Sequence, residues 1–269
     1  MKIKQMVQTM AIAGTLGVAA HAELINVQFG CTLTSGCLGG VQTHQYAGAA
    51  VVGSTGDYWN LVDGNTSGPG LGANGAAAPG ETLLNSASGA AGLAGNAKVT
   101  WTADNMYNST ATNSAFGIAS YANQANLANL MDSYLTNENG SRTVSFSALK
   151  TNTQYQLIAI AQGNGPIGDH VRVVGFSAVG GSGSTANASL VAGTTTNTFI
   201  QNNNYSILNV NSGSTGNIVL TWTKTTADEA DLNGIQLSEV TATPEPSSIW
   251  LGIGGMATML GLQRRRRNA

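Results

Sequence analysis

The sequence predicts an all-β domain, a sandwich of short strands with one short helix, and three observations carry that expectation. Short apolar runs with partial two-residue alternation recur along residues 23–242, as half-buried strands require. Clusters of Gly, Asn and Ser separate these runs and supply the turns. Charged residues make up only 9% of the chain, against roughly 25% in ordinary globular proteins. Bulky apolar and aromatic residues are nevertheless spaced throughout, which suits a packed core better than a disordered stalk.

The elements follow in order. Leu24-Ile25-Asn26-Val27-Gln28-Phe29 alternates in part and opens the domain. Further strands are expected at 97–102, 143–146, 155–161, 171–178, 205–210, 218–223 and 234–240. One stretch reads as a helix, because Leu127, Leu130, Met131, Tyr134 and Leu135 fall at i, i+3, i+4, i+7 and i+8 and form one apolar face. Residues 64–95 and 180–198 are rich in small and hydroxylated side chains and read as long surface loops.

Cys31 and Cys37 have five residues between them. In an exported protein the default for such a pair is a local disulfide. A zinc site would need further ligands, and His44 alone does not complete one. Between residues 23 and 242 five basic residues (Lys98, Arg142, Lys150, Arg172, Lys224) face twelve acidic ones, a surplus of seven negative charges. An acidic domain with no basic cluster argues against nucleic acid as a partner.

No catalytic motif stands out. The domain has two histidines, His44 and His170. Asp169-His170 with Arg172 is the densest ionisable cluster, but adjacent strand residues point to opposite faces. No nucleophile elbow, zincin helix or phosphate loop is present. Asp228, Glu229 and Asp231 admit three readings: a solvated turn, part of a calcium site, or the paired carboxyls of a glycoside hydrolase. Trp101 and Trp222 lie between threonines on expected strands and read as core. Asp57-Tyr58-Trp59-Asn60 would make a sugar-binding platform if exposed; otherwise Trp59 is a third core tryptophan.

The two ends carry an address. Lys2 and Lys4 precede an apolar stretch over 6–20, and Ala20-His21-Ala22 is a small-x-small cleavage site, so residues 1–22 read as a signal peptide and the mature chain is expected to begin at Glu23. The other end, 243–269, contains Pro244-Glu245-Pro246, an apolar segment over 249–262 and then Arg264, Arg265, Arg266 and Arg267. As a helix the apolar segment would span roughly 21 Å, short of the roughly 30 Å of a bilayer core. Snorkelling arginines and local thinning make up the difference. The arginines favour the cytoplasmic side, leaving 23–242 outside.

The tail, behind a signal peptide, resembles the PEP-CTERM sorting proteins of Gram-negative bacteria. That resemblance implies recognition of Pro244, Glu245, Pro246 and the four arginines by exosortase, a membrane-embedded cysteine transpeptidase. It implies an inner-membrane anchored precursor, then release to the cell surface or matrix, in a setting of extracellular polysaccharide and biofilm. Thr243 stands where valine is frequent, and the apolar run is richer in glycine than is usual. More weakly, the element order and the run Asp231-Leu232-Asn233-Gly234-Ile235 resemble galactose-binding-like jelly rolls, including malectin-type modules. This implies a jelly-roll-like sandwich, with sugar bound by loops at one end and in some cases a calcium ion. Three roles follow as expectations: a carbohydrate-binding matrix module, a structural and glycosylated surface protein without a specific ligand, or a secreted glycan-active enzyme.

Overall fold

The structure is a computed structural model that describes residues 23–30, 48–54, 56–63, 81–82, 97–108, 130–131, 133–162, 172–181, 183, 185–187, 198–226 and 229–240. The expected signal peptide over 1–22, Cys31 and Cys37, His44, His170, Asp228 and the expected sorting tail over 243–269 lie outside them. Among the described residues no helix is long and apolar enough to cross a membrane.

The described chain is all-β. Its strands are β1 (Leu24–Gly30), β2 (Asn60–Asp63), β3 (Glu81–Thr82), β4 (Lys98–Trp101), β5 (Asn105–Asn108), β6 (Ser133–Asn137), β7 (Ser141–Ser147), β8 (Gln154–Ile160), β9 (Val174–Gly180), β10 (Thr185–Asn187), β11 (Tyr205–Asn211), β12 (Ile218–Lys224), β13 (Ala230–Leu232) and β14 (Gly234–Glu239). They form a five-stranded sheet, β11-β8-β14-β1-β2, a six-stranded sheet, β10-β9-β12-β7-β4-β3, and a small sheet, β13-β6-β5. Pairing is antiparallel except between β1 and β2. All eight expected strands are present. The loops expected over 64–95 and 180–198 contribute the short strands β3 and β10.

The six-stranded sheet is amphipathic in the ordinary period-two sense. Val144 and Phe146 of β7, Phe176 and Ala178 of β9, and Ile218, Leu220 and Trp222 of β12 are buried on one face. They join Val27, Phe29, Leu157, Ala159, Leu208, Val210, Ile235 and Leu237 of the five-stranded sheet in one apolar core. The two sheets touch closely beside Gly180, where a Cβ would stand 1.6 Å from the Asn211 carbonyl oxygen, so no side chain fits there.

The five-stranded sheet is covered on its other face as well. Ile158 and Ile160 point away from the main core into a second cluster with Trp59, Leu130 and Met131, flanked by Val51, Val52, Phe199, Tyr205 and Ile207. Polar residues on this face are satisfied individually. The Gln236 amide accepts from the N–H groups of Val51 (2.9 Å) and Val52 (3.1 Å), and donates to Asn26 Oδ1 and the Val52 carbonyl, both at 2.9 Å. Burial on both faces explains why β1 alternates only in part in sequence while all seven of its residues are buried.

One element differs from expectation. Leu130 and Met131 are helical, but Tyr134 and Leu135, read as the last turn of the same helix, belong to β6. β6 pairs with β5 and β13 and is buried along its whole length. A strand buried on both faces shows no alternation, so apolar spacing alone favours the helical reading.

Candidate functional site

The tetrad Asp57, Tyr58, Trp59 and Asn60 sits on the segment that crosses the outer face of the five-stranded sheet. Trp59 is 0% exposed, and its indole N–H donates to the Gly48 carbonyl at 2.9 Å. Asp57 and Asn60 are buried too. Asp57 Oδ2 accepts the Ser54 N–H at 2.8 Å, closing a turn. The Asn60 amide donates to the Asn26 carbonyl at 2.8 Å, and Asn26 in turn donates to the Tyr58 carbonyl at 3.2 Å. Trp59 is therefore a third core tryptophan and not a sugar platform: a tryptophan facing a sheet has no free π-face for a ligand, and Asp57 and Asn60 are spent holding the segment down, while Tyr58 is half-buried. Trp101 and Trp222 are buried core residues, as their threonine-flanked strand positions suggest.

The acidic turn is also different from its sequence reading. Asp231, on β13, is 1% exposed, and its Oδ2 accepts from Arg172 Nη1 at 2.5 Å. Glu229 Oε1 meets Arg172 Nη2 at 2.8 Å. Two of the three acids suggested for a calcium ion, or for a catalytic pair, thus share one guanidinium, and among the described residues no three metal-ligating side chains converge. They are not a solvated turn either. Burial raises the Asp231 carboxyl to about 7; Arg172 partly offsets this, and Glu229 adds to it. The same burial weakens the Arg172 charge, but Asp231 beside it outweighs that and the guanidinium is held more firmly protonated than usual. Tyr134 lies against the cluster, its hydroxyl pushed far up by burial and then by Asp231. Neither Asp231 Oδ1 nor Arg172 Nε has a hydrogen-bond partner among the described residues.

Asn233-Gly234, which contributed to the weaker resemblance, has a structural job here. Asn233 Oδ1 accepts the Gln162 N–H at 2.7 Å, and its amide donates to the carbonyls of Met131 (3.1 Å) and Ser133 (3.3 Å). At Gly234 a Cβ would lie 2.8 Å from the Val27 carbonyl oxygen and 3.2 Å from the Trp59 ring. The pair joins β14, the end of β8 and the entry to β6, and admits the indole.

Two features escaped the sequence reading. The first is a face of hydroxyls on the six-stranded sheet, opposite the core. In register across it, Thr100 stands beside Ser145, Thr221 between Thr143 and Ser177, and Ser141 beside Thr223. Ser141 and Thr223 share a hydrogen bond of 2.9 Å. The Thr-Trp-Thr triplets were its visible trace. The second is a cluster of Glu23, Lys150 and Glu239, in which the Lys150 ammonium lies 2.6 Å from Glu239 Oε2 and 3.3 Å from Glu23 Oε2. No protein-family model matches the chain, and no curated protein matches it.

Proposed function

We propose that this chain is an exported surface protein, sorted by a PEP-CTERM tail through exosortase, whose jelly-roll-like β-sandwich is a structural component of the cell surface or its polysaccharide matrix. Delivery follows from the two ends: a leader over 1–22 and Pro244-Glu245-Pro246 ahead of an apolar run and four arginines. The role of the domain rests on one observation, that Trp59, Trp101 and Trp222 are all buried. Among the described residues no tryptophan ring is left open to stack on a sugar.

Carbohydrate contact through the hydroxyl face is the second reading. It is favoured by the in-register Thr and Ser side chains, which offer donors and acceptors to a polyhydroxyl polymer. The two readings share the same delivery route.

Replacing Arg264, Arg265, Arg266 and Arg267 with glutamines tests that route. The basic end holds the precursor in the membrane with its domain outside, so the variant is expected to lose membrane retention on cell fractionation. An unchanged membrane fraction would contradict the sorting reading.

A further inference from the structure

We propose that the α-amine released at Glu23 by leader removal becomes the fourth charge of the Glu23–Lys150–Glu239 cluster, so that processing itself tightens the fold. This rests on the export reading for the cleavage point.

Glu23 is fixed on the β1–β14 ladder, because its carbonyl accepts the Glu239 N–H at 2.8 Å. Its own backbone nitrogen lies 3.4 Å from Glu239 Oε2. Two carboxylates, from Glu23 and Glu239, here face one ammonium, from Lys150, so among the described residues the set is one positive charge short. Glu23 is only 8% exposed, and its Oε1 is buried with no hydrogen-bond partner among the described residues. Beneath it Tyr155 is neutral, its hydroxyl pushed up to about 12, first by burial and then by the Glu23 charge.

Cleavage adds water across the Ala22–Glu23 peptide bond. The C–N bond breaks, Ala22 keeps a carboxylate, and Glu23 gains an amine that takes up a proton at neutral pH. The nitrogen that donated one weak amide hydrogen bond then carries a full charge beside Glu239, and charge-assisted bonds are shorter and stronger. The missing positive charge is supplied where the ladder already holds the atom.

The test compares the melting of the chain starting at Glu23 with one that retains Ala20-His21-Ala22, each with Glu239 and with Glu239→Gln. The chain starting at Glu23 is expected to melt about 2–4 °C higher, and the difference is expected to vanish in the Glu239→Gln pair. A paired amine keeps its proton to higher pH when folded, so its contribution is full below the free-amine value of about 8 and is lost as pH rises through the folded value. The difference between the chains should therefore fade at alkaline pH; Lys150 titrates in both chains and cancels. Equal melting, or a difference indifferent to both pH and Glu239→Gln, would overturn the proposal. N-terminal sequencing of the exported protein separates this from the export reading. A start other than Glu23 overturns that reading and with it the cellular use of the pair, whereas the melting comparison alone decides whether the pair forms.

Discussion

Replacing Arg172 with methionine is expected to cost about 3–5 kcal/mol at alkaline pH, because it removes the one counter-charge that Asp231 and Glu229 share in or near the interior. Asp231 is fully enclosed and Glu229 mostly so, and both bond to the same guanidinium. The loss should depend on pH in a defined direction. Asp231 already holds its proton to about 7, above its unfolded value of 3.8, because of burial. A raised carboxyl contributes stability that is present below the unfolded value and lost as pH rises through the folded one. Without Arg172, which lowers it, the carboxyl rises further. The deficit relative to the parent should be largest above pH 7 and smaller near pH 5, where Asp231 is protonated. Adding Asp231→Asn should recover part of the deficit at high pH. Denaturant midpoints at several pH values measure all of this, and a deficit that ignores pH would contradict charge pairing as the cluster's role.

Trp59→Ala is expected to cost about 3–5 kcal/mol, the range for emptying a large aromatic site in a core. The indole fills the space against Leu130, Met131, Ile158 and Ile160, with Gly234 shaped to receive it. Its loss also leaves the Gly48 carbonyl without its donor. Trp59→Phe keeps most of the packing and gives up the hydrogen bond, so its cost should be nearer 1 kcal/mol plus a small cavity. Urea unfolding of the two variants distinguishes a core residue from a ligand platform. A stable Trp59→Ala protein that loses glycan binding would restore the platform.

The legible part of the fold was the part whose two faces differ. β7, β9 and β12 bury one face against the core and turn Ser, Thr and Val outward, so alternation placed them. β6 was hidden because Tyr134, Leu135 and their neighbours are buried on both sides, and its apolar spacing copies a helix. β2 was hidden for another reason. Asn60–Asp63 is short and pairs in parallel with β1, a partner more than thirty residues away that no local pattern announces. Trp59 was ambiguous in sequence because its polar neighbours resemble a sugar site. They are polar because Asp57 caps a turn and Asn60 ties the segment to Asn26. The acids at 229 and 231 looked solvated because their counter-ion, Arg172, is distant in the chain and arrives only through folding.

These residues describe a domain whose tryptophans, buried acids and Asn-Gly step hold it together, which fits the proposed structural role at the cell surface. The decisive measurement is the intact mass of the protein recovered from the surface of a Gram-negative host, with and without exosortase. With the enzyme, the chain is expected to begin at Glu23 and to have lost its apolar and arginine-rich end. Without it, the tail should remain and the protein should stay in the membrane. A full-length tail on surface protein in both hosts would contradict the account.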